Sequence, residues 1–280
     1  MRAGSTPGPS FADLDIDGRR QRLEYAWIGD ARRDAPVIVF LHEGLGSLAM
    51  WKDFPQALCA ATGTRGLVFS RHGYGRSTPR PATERWPVEF MHAQAHAVLP
   101  AFFARAGLTD APWLFGHSDG GSIALLHAAA FPECVAGLVV VSPHVFVEDV
   151  TVASIERARA AYSTTDLRQR LARYHGDPDS AFHGWNDIWL DPAFRAWNIE
   201  DCLPRIRCPL LAVQGENDEY GTMAQVDAIA RLVPHARLLK LPACGHSPHR
   251  DQPAALSGAV AAFLREHPQS PAHSALAART

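Results

Sequence analysis

Paired thiols are missing from this sequence. Its five cysteines, Cys59, Cys134, Cys202, Cys208 and Cys244, are odd in number, scattered, and never spaced as C-x-x-C, which argues against a disulfide framework or a cysteine-rich metal module. Reduced, mostly buried thiols are expected, and with them a cytoplasmic protein. An excess of one charge is missing too. Lys and Arg number 27 against 29 Asp and Glu, a net −2 at pH 7, so nothing electrostatic points to nucleic acid or an anionic membrane as partner. No apolar run approaches the roughly 20 residues that span a bilayer. Residues 1–10 are rich in Gly, Pro and Ser and lack the apolar stretch of a secretory signal. Internal repeats are absent.

What is present is ordinary globular composition, 47% hydrophobic and 20% charged over 280 residues, enough for one large α/β domain or two small ones. Short apolar runs of strand length recur at 23–28, 36–41, 66–70, 111–115, 135–141, 209–213 and 236–241. The first follows the turn-like Asp17-Gly18 and reads as the second strand of a hairpin. Several of the others are apolar throughout, as strands covered on both faces are. Helical patterns at 51–61, 88–106, 122–130, 223–232 and 253–265 alternate with them. That rhythm predicts an α/β fold: a mostly parallel, twisted sheet with helices on both faces, and ligands at the carboxyl ends of its strands.

Between 147 and 207 the rhythm stops. The stretch contains helix-like runs at 154–162 and 166–174 and three of the seven tryptophans, Trp185, Trp189 and Trp197, but no strand-like run. It reads as a helical cap over the active end of the sheet. Its tryptophans are either core of the cap or, for Trp185 and Trp189, pocket wall. The expected division is therefore a core at 11–146 and 208–266, a cap at 147–207, and flexible termini at 1–10 and 267–280.

Chemistry is concentrated at Gly116-His117-Ser118-Asp119-Gly120, a G-x-S-x-G placed where a strand meets a helix. Such a turn strains its central residue, exposes the serine Oγ, and admits only small residues two positions to either side. A serine hydroxyl needs a base, and the base needs an acid to hold its tautomer. Of the 14 histidines, His246 follows the last strand-like run, and Asp218 follows the one before it. Glu219, next in the chain, is the rival acid, and His249 the rival base. The order Ser118, Asp218, His246 is that of the α/β hydrolases.

The chain resembles the α/β-hydrolase family from about residue 20 to 266. Leu41-His42-Glu43-Gly44-Leu45-Gly46-Ser47 is similar to the family's H-G oxyanion loop, Ser70-Arg71-His72-Gly73-Tyr74-Gly75-Arg76-Ser77 to its R-G-x-G-x-S segment, and Gly245-His246 to the Gly-His carrying its base. The resemblance implies an oxyanion hole made by the backbone N–H groups of Gly44 and Asp119. One residue departs from the pattern: Glu43 stands where the family commonly has glycine. A carboxylate there opposes oxyanion charge unless paired, with Arg71 or a cap residue as the expected partner and a direct catalytic role as the alternative. His117 is expected to pack under the elbow. Asp119 either lines the pocket or caps the following helix.

His92 and His96, at i and i+4, lack a third ligand and the glutamate of H-E-x-x-H, so no metal is expected, and no cofactor. Serine at the elbow argues against epoxide hydrolase and haloalkane dehalogenase chemistry, which needs aspartate there. The expected activity is hydrolysis of a carboxylic ester or lactone of a small to medium, moderately apolar molecule through an acyl-enzyme. C–C hydrolysis of dienones, thioester hydrolysis, and a non-catalytic binding role are the alternatives. The expected partner is that small ester-like substrate, with no nucleic acid and no membrane, and the assembly a monomer or homodimer.

Overall fold

A computed structural model describes residues 9–29 and 31–268. Eight strands form one sheet: β1 (Ser10–Ile16), β2 (Arg19–Ile28), β3 (Val37–Leu41), β4 (Arg65–Phe69), β5 (Trp113–His117), β6 (Gly137–Val141), β7 (Leu210–Gly215) and β8 (Arg237–Leu241). Their spatial order is β1-β2-β4-β3-β5-β6-β7-β8. β2 runs antiparallel to both β1 and β4, and every pairing from β4 through β8 is parallel.

The helices are α1 (Phe54–Thr62), α2 (Phe90–Ala93), α3 (Leu99–Arg105), α4 (Asp119–Ala130), α5 (Asp149–Thr164), α6 (Leu167–Leu171), α7 (Pro178–Trp189), α8 (Ala224–Leu232), α9 (Pro248–Asp251) and α10 (Pro253–Glu266). Strand periodicity divides the core. Ile38, Phe40, Trp113, Phe115, Val139, Val141, Leu211 and Val213 face one layer with α1 and α10, while Val39, Leu41, Leu114, Leu138, Val140, Leu210 and Ala212 face the other with α3 and α4. Helix α4 is buried from Asp119 through Ala129, so it needs no polar face.

The strands lie where the apolar runs place them, the helix expected at 166–174 covers only Leu167–Leu171, and two others differ more. The helix expected at 51–61 begins only at Phe54, after a 3-10 turn at Leu48–Trp51, because Lys52 takes a left-handed conformation (φ 52°). The helix expected at 88–106 is interrupted by a π-turn at Gln94–Val98 just before Pro100. Proline has no N–H to return to the carbonyl four residues back, so the ladder widens there. Of the termini, residues 1–8 and 269–280 lie outside the described residues. Ser10, expected in the loose N-terminal stretch, already pairs with Tyr25 as the first residue of β1.

Parallel register aligns the strand ends that matter. Leu41 of β3 pairs with Gly116 of β5, so the loop at 42–45 and Ser118 leave the sheet side by side. β4 lies on one side of β3 and β5 on the other, which makes this the point where the strand order reverses. From β6 to β7 the chain forms α5, α6, α7 and two 3-10 turns, Pro192–Ala196 and Leu203–Arg205, without adding a strand to the sheet.

Candidate active site

Ser118 occupies φ 53°, ψ −121° between β5 and α4, a left-handed conformation that costs a non-glycine residue about 1–3 kcal/mol. The neighbouring glycines explain why the turn is possible. A Cβ on Gly116 would stand 2.3 Å from the Gly120 carbonyl oxygen, and one on Gly120 would stand 2.1 Å from the Leu41 oxygen. The Ser118 N–H is anchored on the Val141 carbonyl at 2.9 Å.

Asp218 and His246 meet beyond the ends of β7 and β8. His246 Nδ1 lies 2.8 Å from Asp218 Oδ1; a carboxylate accepts, so Nδ1 carries the proton and Nε2 is left with the free lone pair. Asp218 also accepts from the Tyr220 N–H at 2.9 Å and from Gln214 Nε2 at 3.2 Å. Burial pushes its carboxyl up, but His246 and the Tyr220 N–H outweigh that and hold it below the ordinary carboxylate value. Glu219 does something different: its Oε2 accepts the His246 backbone N–H at 3.1 Å, steadying the loop while Asp218 holds the ring.

The loop at 42–45 is fixed by its carbonyl. Glu43 O accepts from the Gly46 N–H at 3.0 Å, from Arg71 Nη2 at 2.9 Å, and from His42 Nδ1 at 2.7 Å. The Arg71 N–H donates to His42 Nε2 at 3.0 Å, so the His42 proton is on Nδ1. Because the peptide is planar and trans, three donors on the Glu43 carbonyl turn the Gly44 N–H to the opposite side. Neither that N–H nor the one on Asp119 has an acceptor among the described residues.

The Glu43 carboxylate pairs with neither Arg71 nor the helical segment. It accepts from Arg250 Nη2 at 3.1 Å and stands 3.6 Å from His117 Nδ1. Arg71 is engaged elsewhere, with the Glu43 carbonyl and with Asp119 at 3.6 Å, both side chains almost fully buried. Asp119 does not cap α4; its Oδ1 accepts from Trp189 Nε1 at 3.1 Å, tying the elbow to α7. Burial raises the Asp119 carboxyl despite Arg71 and Trp189.

Period two places His117 on the same face as Trp113 and Phe115, under the elbow, where its Nε2 lies 2.8 Å from the His246 carbonyl. His249, the rival base, is buried against Trp51, Phe54 and His117, burial drives it down to about 2, and it is not among the residues that line the cavity with Ser118. His92 and His96 face each other at 5.9 Å, and no group of three His, Cys, Asp or Glu among the described residues is gathered to hold a metal.

Ser118, His246, Asp119, Gly44, Glu43, His117, Trp185 and Trp189 line one cavity of about 250 Å³, Trp185 resting on Gly44 closely enough that a Cβ there would come within 2.1 Å of its ring. A larger cleft of about 600 Å³ opens between the β1–β2 hairpin and residues 71–98, but it contains neither Ser118 nor His246. Volume does not decide the candidate site; the company of Ser118, His246 and N–H groups without an acceptor among the described residues does. Sequence reasoning named Arg71 only as a partner for the Glu43 carboxylate and did not assign Arg250 or Tyr220 to this site. Arg71 was visible in its R-G-x-G-x-S segment, whereas Arg250 and Tyr220 carried no signal beyond standing a few residues from His246 and Asp218.

The sequence profile of the alpha/beta hydrolase family matches residues 38–259. The chain belongs to the alpha/beta hydrolase family. Relatives within reach of sequence comparison are distant. The mouse sn-1-specific diacylglycerol lipase ABHD11 is 28% identical over 285 aligned positions, covering 91% of this chain and 89% of that protein. The human serine hydrolase BPHL is 26% identical over 195 residues, 65% of this chain and only 63% of BPHL. Among solved structures of this alpha/beta hydrolase fold, the enol-lactonase from Burkholderia xenovorans superposes with a TM-score of 0.69 at 20% identity, covering 90% of this chain and 99% of the lactonase. A thermophilic esterase from Thermogutta terrifontis gives 0.68 at 21%, covering 92% and 100%. No helix among the described residues is long and apolar enough to cross a membrane, and all five cysteines are free.

Proposed function

We propose that this alpha/beta hydrolase is a serine hydrolase that cleaves a carboxylic ester or lactone of a small to medium, moderately apolar substrate through an acyl-enzyme. The observation that carries the reading is that a strained Ser118 lines the same cavity as His246, whose Nδ1 faces Asp218 Oδ1 at 2.8 Å. In this reading Ser118 Oγ attacks the substrate carbonyl carbon while His246 Nε2 takes the hydroxyl proton. The oxyanion forms against the N–H groups of Gly44 and Asp119, at the positive end of α4. Collapse expels the alcohol, which receives the proton from His246. Water then attacks the acyl-enzyme, His246 again acting as base, and the acid leaves with Ser118 restored.

The helical segment 147–207 serves as cap and selects the acyl group. Ile155, Leu167, Leu171 and Trp185 from it meet Leu45 and Met50 of the core around the cavity, an apolar wall. At about 250 Å³ the cavity falls just below the usual range for ligand pockets, which favours a compact substrate. The mouse lipase and the lactonase and esterase structures act, by their names, on ester-like bonds, in keeping with this chemistry. The test is labelling with a serine-directed fluorophosphonate and hydrolysis of p-nitrophenyl acetate, followed by a panel of acyl chain lengths, lactones and thioesters. Labelling confined to Ser118, with turnover lost in Ser118→Ala, is expected; an unlabelled protein without esterase activity refutes the proposal.

A further inference from the structure

Glu43 is a carboxylate beside the N–H of Gly44, in a loop that has to stabilise negative charge, and it departs from the glycine commonly found there. Its contacts supply a reason for its presence. His117 Nε2 faces a carbonyl, His246 O, at 2.8 Å, and a carbonyl only accepts, so that nitrogen carries a proton. The other nitrogen, Nδ1, is buried with no hydrogen-bond partner closer than Glu43 Oε2 at 3.6 Å. A bare lone pair facing a carboxylate in a buried site is repulsive, so a second proton belongs in that gap. We propose that Glu43 and His117 form a proton-sharing pair, clamped from outside by Arg250, that positions His246 relative to the oxyanion loop; the proposal rests on the reading of Ser118 and His246 given above.

The pair joins segments far apart in sequence. Glu43 immediately precedes Gly44, His117 immediately precedes Ser118, and the His117 ring both bonds the His246 carbonyl and lies 5.1 Å from the His246 ring. Arg250, on α9 four residues beyond His246, closes the circuit onto the other Glu43 oxygen. Oxyanion loop, nucleophile and base are thus braced through one carboxylate.

Glu43 is the carboxylate of the pair. Burial alone would raise Glu43, but the neighbouring His117 and the Arg250 guanidinium outweigh it and hold the carboxyl well below its ordinary value. Other groups around the pair leave that balance standing. His42, His144, His175 and His249 are all pushed down, burial being the largest cause for each, and are neutral near pH 7. Arg71 is matched by Asp119. On the His246 loop itself, Asp218 holds the ring, and Glu219 and Asp251 accept the His246 and Gly245 N–H groups, so all three carboxylates are engaged there and Glu43, His117 and Arg250 form a separate group beside them.

The test combines a spectroscopic and a kinetic arm. In wild-type protein labelled with ¹⁵N-histidine, both ring nitrogens of His117 are expected to be protonated at pH 7. In Glu43→Gln, whose amide can donate to Nδ1, that nitrogen is expected to lose its proton. In the kinetic arm, Glu43→Gln is expected to lower kcat about 10- to 100-fold with KM little changed, the size of loss that slight misplacement of reacting groups produces. His117→Gln retains a donor for the His246 carbonyl but removes the positive charge, so the acid limb of kcat/KM is expected to move up by about 0.5–1 pH unit. Thermal unfolding of each variant separates misfolding from misplacement. An unprotonated Nδ1 in the wild type, or a His117→Gln profile superimposable on wild type, overturns the proposal. A wild-type protein that fluorophosphonate does not label overturns the serine reading and the positioning role together. A labelled wild type alongside a fully active Glu43→Gln overturns the positioning role alone.

Discussion

At the scale of single residues, adjacent carboxylates have separate tasks. Asp218 Oδ1 bonds the His246 ring, and Glu219 Oε2 bonds the His246 main chain. Replacing Asp218 with Asn places an amide against Nδ1 and favours the wrong tautomer, so kcat should fall on the order of 10⁴-fold, as for the acid of the serine proteases. Glu219→Gln keeps an oxygen that accepts the same N–H, and its loss should stay below about tenfold. Steady-state hydrolysis of p-nitrophenyl acetate by the two variants checks the assignment, and the reverse ranking would exchange their roles. Sequence alone left the two carboxylates unresolved. Neighbours in a loop point in different directions, and which one meets the ring depends on turn geometry that pattern does not encode. Ser118 and His246 were legible because a G-x-S-x-G at a strand end and a Gly-His after the last strand are local signals. The Arg250 to Glu43 contact spans 207 positions and joins two loops, so nothing in either neighbourhood announces it.

At the scale of elements, α7 decides how the helical segment meets the sheet. Trp189 donates Nε1 to Asp119 at the start of α4, and Trp185 lies across Gly44. Trp189→Phe removes the donor and leaves a carboxylate oxygen buried without it, a loss of about 1–3 kcal/mol that urea unfolding should register. An unchanged midpoint would mean that water or Arg71 takes over the oxygen. Gly44→Ala acts on the same element from below: its Cβ would come within 2.1 Å of the Trp185 ring, so the ring or the loop must move and kcat should fall. Adding Trp185→Ala should recover part of that loss, a non-additivity expected only of groups in contact. The strands themselves were readable because each buried strand is apolar on both faces over four or five residues. The absence of strand-like runs marked the helical segment equally well. Its docking was not readable, since helical periodicity defines an apolar face without naming what covers it.

At the scale of the whole molecule, unpaired or singly bonded histidines are distributed through the interior, and they tie stability to pH. Burial drives His127 down to about 4, His144 to about 3 and His249 to about 2. His127 donates to the Ala95 carbonyl between α4 and the π-turn, His144 stands behind Trp189, and His249 packs against Trp51 and Phe54, so the three are spread over both layers. All three have folded pKa values below their unfolded value of about 6.5. Above that value neither state binds the proton, and the folded form has its full stability. As pH falls below it, the unfolded chain takes up protons that the folded chain refuses, and each histidine costs about 1.4 kcal/mol per pH unit until its own folded pKa is reached. Three such groups should therefore erode stability steeply from about pH 6.5 down toward pH 4, well before the carboxylates begin to titrate. Buried Asp218 adds to the loss only lower down, because its carboxyl, held below the ordinary value, gives stability that disappears as pH falls through the acid range. Urea midpoints measured from pH 7 to pH 5 should fall as the pH is lowered, and His127→Gln, which retains a side-chain donor for the Ala95 carbonyl, should reduce the slope by about one proton. A midpoint independent of pH between 7 and 5 would mean that these histidines are hydrated or charged in the folded protein, and the dry interior inferred around them would have to be given up.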